Sequence, residues 1–426
     1  MHKTSATVGR FAPFALAASL AATALAATAL GCAASPAAAA AATDTSFPAA
    51  ARAVTARAVI PVLPQPTGRF PIGVVDLHLI DRSRPDPFNP PQSYRELMVS
   101  VVYPARNVAG HPRAPLMTQG VSDGFNALAA PDNYGVPAGT TIDWSAIKTY
   151  EHEDAPAAAG RHPVLLYSPG VGDVRSWDSV LVDQLASEGY VVVTIDPTYE
   201  ASAVQFPGDR IILSTLPSLI GQAEQDGTVT QLLEQILGTR VADTKFVLDE
   251  LDVLAAGGNP DTEHRALPAG LGSELDLSEV GMFGQSAGGF TALETMYEDP
   301  RLKAGVDMDG TLEFDAGAPS DANFSPVAEH GLTKPFLLLG SETSDACTAA
   351  TDPSCAAVLA HSTGYHRALT LPDTVHGSFT DAEAIIPQLA GVLPSAVIEG
   401  DVGTAAPAEV LAEQESLLSG FFQRTL

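Results

Sequence analysis

Gly284-Gln285-Ser286-Ala287-Gly288 follows the apolar run Val280 to Phe283 and precedes a helix-prone stretch from Gly289 to Tyr297. A strand, a sharp turn and a helix in that order make Ser286 the candidate nucleophile. The flanking glycines remove Cβ atoms where such a turn is crowded, so the hydroxyl can stand clear of the sheet. An accidental turn is the bland alternative. The apolar strand, a further glycine at Gly289 and matching partners downstream argue against it.

A serine on such an elbow needs a base, and an acid behind the base, in the chain order Ser, then Asp or Glu, then His. Four of the ten histidines lie downstream of Ser286: His330, His361, His366 and His376. His376, in Thr374-Val375-His376-Gly377-Ser378-Phe379, follows the strand expected at Arg367 to Leu371, where a loop can bring its imidazole over the serine. Imidazole basicity near neutrality lets it take the serine proton and return it to the leaving alkoxide. His366 begins the same strand at the wrong end, and His361 sits in a polar turn.

Spacing leaves the acid open. Asp309 closes the strand Lys303 to Met308, Asp307 lies two residues deeper on the same face, and Glu342 and Asp345 follow the next strand. An oxyanion hole needs two backbone N–H donors, typically one from the residue after the nucleophile and one from a glycine-rich loop after an early strand. Ala287 fits the first place. Tyr167-Ser168-Pro169-Gly170-Val171-Gly172 fits the second, with Val171 ahead of Gly172, and Pro169 has no amide hydrogen to offer.

The elements that must position these groups alternate along the chain. Val75, Leu77 and Leu79, then Leu97, Val99, Val101 and Tyr103, have the period of two expected of strands, separated by a proline-rich connection from Asp81 to Pro91. They are expected to form an antiparallel edge of a larger sheet. Pro163 to Tyr167 and Tyr190 to Ile195 are continuous apolar runs, and Trp177 to Glu188 between them has helical spacing with Gly189 as a stop. Strand, helix, strand implies a parallel unit. One or two amphipathic helices span Val229 to Leu251. Further strands are expected at Lys303 to Met308, Pro335 to Gly340 and Arg367 to Leu371, and a last helix at about Ala405 to Phe422. The order predicts an α/β-hydrolase fold: a mostly parallel sheet with an antiparallel N-terminal edge and helices on both faces. Gly120 to Lys148, with Tyr134 and Trp144, and Phe206 to Asp226 read as insertions near its mouth.

The chain has 426 residues, 46% hydrophobic and 17% charged, enough for a large core in one catalytic domain over 70–426. Its 50 acidic and 22 basic residues give a net charge of -28, which repels nucleic acid and gains nothing from anionic lipid. His2, Lys3 and Arg10 precede an uncharged, alanine-rich stretch, so residues 1–42 read as an export signal and 43–69 as a flexible tether. Ala29-Leu30-Gly31-Cys32 resembles the cleavage box of bacterial lipoproteins, which implies a lipid anchor at Cys32 and a cell-surface location; ordinary cleavage and secretion are the alternative. Cys347 and Cys355 bracket a short loop that can close as a disulfide after export. Neither has metal-ligand spacing, so no zinc site or other cofactor is read.

These residues together resemble the platelet-activating-factor acetylhydrolase family of secreted α/β-hydrolases over about Phe70 to Phe379. The resemblance rests on the Gly-x-Ser-x-Gly-Gly elbow at Ser286, on the glycine loop at Val171, on Val375-His376-x-x-Phe379-x-Asp381, and on Gly305-Val306-x-x-Asp309. It implies Ser286 as nucleophile, His376 as base, Asp309 as acid, and Val171 as an oxyanion donor. It further implies metal-free release of short acyl groups from phospholipids. Ser168-Pro169 departs from the pattern, standing where many members place a histidine before the glycine. Thr198 to Gly208 resembles bacterial relatives, some of which act on other esters. Lipase or polyester hydrolase activity, a secreted serine peptidase, and a non-catalytic surface binding protein are the alternatives.

Overall fold

Ile72 to Asp81 and Arg95 to Pro104, apolar at alternate central positions and largely buried on both faces, form two ten-residue strands, β1 (Ile72–Asp81) and β2 (Arg95–Pro104), paired antiparallel with Val75 opposite Val101 and Leu77 opposite Val99. In the computed structural model, which describes residues 59–314, 323–342 and 352–426, ten further strands follow. They are β3 (Arg113–Pro115), β4 (Lys148–Glu153), β5 (His162–Ser168), β6 (Val191–Ile195), β7 (Ala203–Phe206), β8 (Arg210–Leu213), β9 (Leu275–Gln285), β10 (Leu302–Met308), β11 (Phe336–Ser341) and β12 (His366–Leu371).

Ten of the twelve build one sheet in the order β12-β11-β10-β9-β5-β6-β2-β1-β4-β3, with β7 and β8 forming a separate hairpin. From β12 to β6 every pairing is parallel, and β2 enters antiparallel against β6. The β1–β2 pair is therefore not the edge itself. β4 joins β1 in parallel through Ile72–Val74, and β3 closes that side. Both short strands escape the sequence pattern, β3 because it has only three residues and β4 because Lys148 to Glu153 has no aliphatic residue, although Thr149 and Glu151 are buried.

Successive residues of the central strands feed opposite layers, as the pleat requires. Val164, Leu166, Val191, Val193 and Met282 pack with the long helix Val229–Ala255 and the elbow helix Ala287–Glu298. Leu165, Tyr167, Val192 and Phe283 pack on the other face with the helices Ser179–Glu188 and Pro407–Thr425. The region read as one or two helices is one helix of 27 residues. Gly189, in the left-handed region at φ 119°, ends the helix Ser179–Glu188 as a C-cap.

Residues 59–69, expected as the end of the tether, lie against the domain instead. Leu63 is buried, Val62 exchanges hydrogen bonds with the Gln388 amide, and the Thr67 and Gly68 N–H groups donate to Gln184 and Ser187. One apolar anchor and satisfied backbone groups suffice to pin a proline-rich segment. The export segment, Cys32, Asp345 and Cys347 lie outside the described residues. Among the described residues, no helix is long and apolar enough to cross a membrane.

Candidate active site

β9 ends at Gln285, and the chain turns at Ser286 with φ 57° and ψ -122° before the elbow helix begins at Ala287. A non-glycine residue at positive φ stores backbone strain, here held in place by Ser286 N–H donating to Met308 O at 2.8 Å. The glycines of the motif are steric necessities. A Cβ on Gly288 would lie 1.8 Å from Ser168 O, and one on Gly289 would lie 1.8 Å from Asp307 Oδ1. A second Gly-x-Ser-x-Gly, Gly120 to Gly124, lies within the helix Gln119–Ala127 with Ser122 buried, so it forms no elbow.

His376 opens a short 3-10 turn after β12, and its Nδ1 lies 2.7 Å from Asp309 Oδ2. Asp309 is buried, sits at φ 59°, and is fixed by further bonds on both its backbone and its carboxylate. Its N–H donates to Leu339 O at 2.7 Å, while Ser341 N–H and Oγ donate to its two carboxylate oxygens at 2.6 and 3.2 Å. Asp307 is fully buried, accepts from Gly310 N–H at 2.9 Å, and is pushed well above the carboxylate range by burial. Glu342 accepts from Asp373 N–H at the surface. Asp309 is thus the candidate acid that meets the imidazole, and Asp345 lies outside the described residues. His330 packs near Tyr297, His361 Nδ1 donates to Ala328 O at 2.9 Å, and His366 stacks on Phe336.

Ser286 and His376 share one cavity of about 190 Å³ with the loop Gly170-Val171-Gly172. Among the described residues Ser286 Oγ has no hydrogen-bond partner, and His376 Nε2 is met by Gln285 Nε2 at 3.0 Å. Val171 N–H is also without an acceptor among them, and Ala287, in the first turn of its helix, has an N–H with no intrahelical partner. Val171 thus lines the cavity that Ser286 enters, Ala287 follows Ser286 in the chain, and the N–H groups of both have no acceptor among the described residues. Both insertions wall the cavity: Leu128, Asn133 and Tyr134 from the first, Leu216, Pro217 and Ile220 from the second. Phe125, Tyr134, Trp144 and Trp177 form one aromatic cluster behind the first. Burial pushes Asp173 up to about 6 against hydrogen bonds from Tyr134 and Asn133, and Asp401 up to about 8. Among the described residues, no group of three or more His, Cys, Asp or Glu is placed to hold a metal ion.

Sequence reasoning misses two side chains here. Gln285 reads only as the variable residue of the motif, and Arg240 lies inside an amphipathic helix pattern with nothing to distinguish it from an exposed cation. A guanidinium that is 2% exposed, bonded to Glu200, to Ser168 Oγ and to the Gly170 carbonyl, is visible only in three dimensions.

An elbow serine, a histidine bonded to a buried aspartate and a glycine loop at one cavity can activate a hydroxyl and hold an oxyanion. The family model described as platelet-activating factor acetylhydrolase, isoform II, matches residues 144–415, well over half the chain. The chain belongs to this family. A protein of Arthroderma benhamiae named "Probable 1-alkyl-2-acetylglycerophosphocholine esterase" is 26% identical over 384 residues, covering 86% of this chain and 88% of its own. The platelet-activating factor acetylhydrolase of Cavia porcellus is 26% identical over 179 residues, 39% of each chain. The solved ferulic acid esterase from Streptomyces cinnamoneus superposes with a TM-score of 0.65 at 29% identity, covering 86% of this chain and 93% of its own. The α/β-hydrolase fold read from sequence stands, and this acetylhydrolase-family chain is a carboxylic ester hydrolase. Ser286, Asp309, His376, Val171 and Ala287 all fall within the family match.

Proposed function

We propose that the protein is a serine esterase that releases short acyl groups, with phospholipid acyl esters as its natural substrate class. The observation that carries this reading is the Asp309–His376 bond of 2.7 Å at the cavity that also holds the strained Ser286. Asp309 keeps the imidazole proton on Nδ1, leaving Nε2 to accept the Ser286 proton as Oγ attacks the ester carbonyl. Val171 and Ala287 N–H groups hold the oxyanion as it forms. His376 then protonates the leaving alkoxide, and water attacks the acyl-enzyme by the reverse proton path. The relatives named for 1-alkyl-2-acetylglycerophosphocholine and platelet-activating factor support the phospholipid class.

A second reading has its own support. The wall of Leu216, Pro217, Ile220 and Leu232 offers more apolar surface than an acetyl group can cover, and a ferulic acid esterase shares the fold over most of its length. Aromatic acyl esters are therefore the alternative substrate. Export through residues 1–42, a lipid anchor at Cys32 and a Cys347–Cys355 disulfide complete the proposal.

The test is hydrolysis of p-nitrophenyl esters of increasing acyl length, and of methyl ferulate, with Ser286→Ala alongside. Activity confined to short chains and absent in the variant supports the first reading, and preference for the ferulate supports the second. Activity retained in Ser286→Ala would overturn both.

A further inference from the structure

The loop that carries Val171 is held from behind. Arg240, on the long helix Val229–Ala255, is 2% exposed and its partner Glu200 is 1% exposed. The Arg240 Nε–H lies 3.0 and 2.9 Å from the two Glu200 oxygens, and Nη2 also donates to that carboxylate. Nη1 donates to Ser168 Oγ at 3.0 Å and to Pro169 O, and Nη2 donates to Gly170 O at 3.0 Å. All five N–H donors of the guanidinium are used.

One of these bonds bears directly on catalysis. Gly170 O and Val171 N–H belong to the same peptide plane, which is trans, so they point in opposite directions. A donor that grips the carbonyl fixes the plane and with it the direction of the Val171 N–H, on a loop that lines the cavity. The next carbonyls are also occupied by donors: Val171 O accepts from Asn133 Nδ2 at 2.9 Å and Gly172 O from Ser202 N–H at 2.7 Å.

A buried ion pair is a poor way to gain stability, since well-packed apolar residues usually serve as well. Lysine could neutralise Glu200 but could not span two carbonyls and a hydroxyl, for which a planar fork is needed. We propose that Arg240, oriented by Glu200, is a positioning residue that aims the Val171 N–H at the oxyanion. The proposal rests on the catalytic reading above.

Arg240→Lys keeps the charge opposite Glu200 and loses the fork; Arg240→Met with Glu200→Leu removes both charges together, so no lone buried charge opposes folding. Expected in each is a kcat lower by about 100- to 1,000-fold, the range for loss of one oxyanion donor, with KM within about threefold. The Ki of a trifluoromethyl ketone, which forms a tetrahedral oxyanion on the serine, should rise in step with the fall in kcat/KM. A merely structural role would leave that parallel absent. Unchanged kcat in either folded variant, or lost kcat with an unchanged ketone Ki, would overturn the proposal. Labelling of wild-type Ser286 by a fluorophosphonate separates the two claims. A labelled serine with unchanged variant kinetics overturns the clamp alone, whereas an unlabelled serine overturns the catalytic reading and the clamp with it.

Discussion

Gln285 Nε2 lies 3.0 Å from His376 Nε2, on the ring nitrogen opposite the one bonded to Asp309. An amide N–H there needs the imidazole lone pair, so it supports the neutral ring with its proton on Nδ1, the tautomer a general base requires. It also occupies the position from which Ser286 must deliver its proton, so the amide has to yield when substrate binds.

Removing that donor withdraws support from the neutral ring. In Gln285→Ala the acid limb of the pH profile of kcat/KM is expected to move to higher pH, and in Gln285→Glu further, because a carboxylate favours the imidazolium. Wild-type, alanine and glutamate profiles measured across neutral pH on one p-nitrophenyl ester decide it. An acid limb that stays put in Gln285→Glu would show that the contact does not touch the base.

Asp309 owes its orientation to Ser341 as well as to its own backbone. Asp309→Asn preserves the shape but favours the wrong imidazole tautomer, and a loss in kcat of about 10⁴ is expected with little change in melting temperature. Ser341→Ala removes the 3.2 Å hydroxyl contact and leaves the 2.6 Å backbone donor, so a loss of roughly three- to tenfold is expected. Asp345→Asn should leave kcat nearly unchanged. A larger loss in Asp345→Asn than in Asp309→Asn would move the acid to the other strand end.

The difference between these residues also marks what a sequence can tell. Ser286 and His376 are legible because local composition and chain order both constrain them: glycines force the elbow, and a base must follow the last strands. Asp309 is one of four carboxylates that spacing cannot separate. Only the resemblance singles it out there, and the contact with His376 distinguishes it geometrically. Arg240 and Glu200 are invisible in sequence, being 40 residues apart, each in a stretch where a charge reads as solvated. Glu151 misleads in the same way, since a buried carboxyl on β4 breaks the alternation that reveals a half-buried strand. Patterns report the average environment of a residue type, and these side chains depart from it.

The elbow glycines and a helix glycine should respond oppositely to the same substitution. Gly288→Ala drives a Cβ to 1.8 Å from Ser168 O, the backbone that precedes the oxyanion loop, so both fold and site must shift. A loss of about 3 kcal/mol or more and near-complete loss of activity are expected. Gly238, exposed in the middle of the long helix, has nothing within 4 Å of its added Cβ. Gly238→Ala should stabilise by about 0.5–1 kcal/mol with activity retained. Urea unfolding of both variants checks the contrast, and a neutral Gly288→Ala would refute the crowding inferred at the elbow.

Buried carboxyls make the stability of this acidic chain depend on pH in a definite direction. Glu274 is 1% exposed, both its oxygens lack a hydrogen-bond partner among the described residues, and burial pushes it up to about 9. Burial likewise pushes Asp183 up to about 8 and Asp381 and Glu294 up to about 7. Unfolded, each would ionise near pH ~4. Between that pH and its raised folded value the native state holds a proton that the unfolded state has lost, so stability falls as pH rises across the window and is flat above it. Glu96 runs the other way. Burial opposes its ionisation, but hydrogen bonds from His78 and Arg210 hold it down to about 2, so its contribution is lost only as pH falls below about 4. Stability should therefore peak near about pH 4 and decline from there toward about pH 9. Glu274→Gln keeps the shape and removes the ionisation, so the gap between variant and wild type should grow by about 5 kcal/mol in favour of the variant from about pH 5 to about pH 9. Calorimetric unfolding at both pH values measures that gap, and parallel curves would mean that Glu274 reaches water and ionises in the fold.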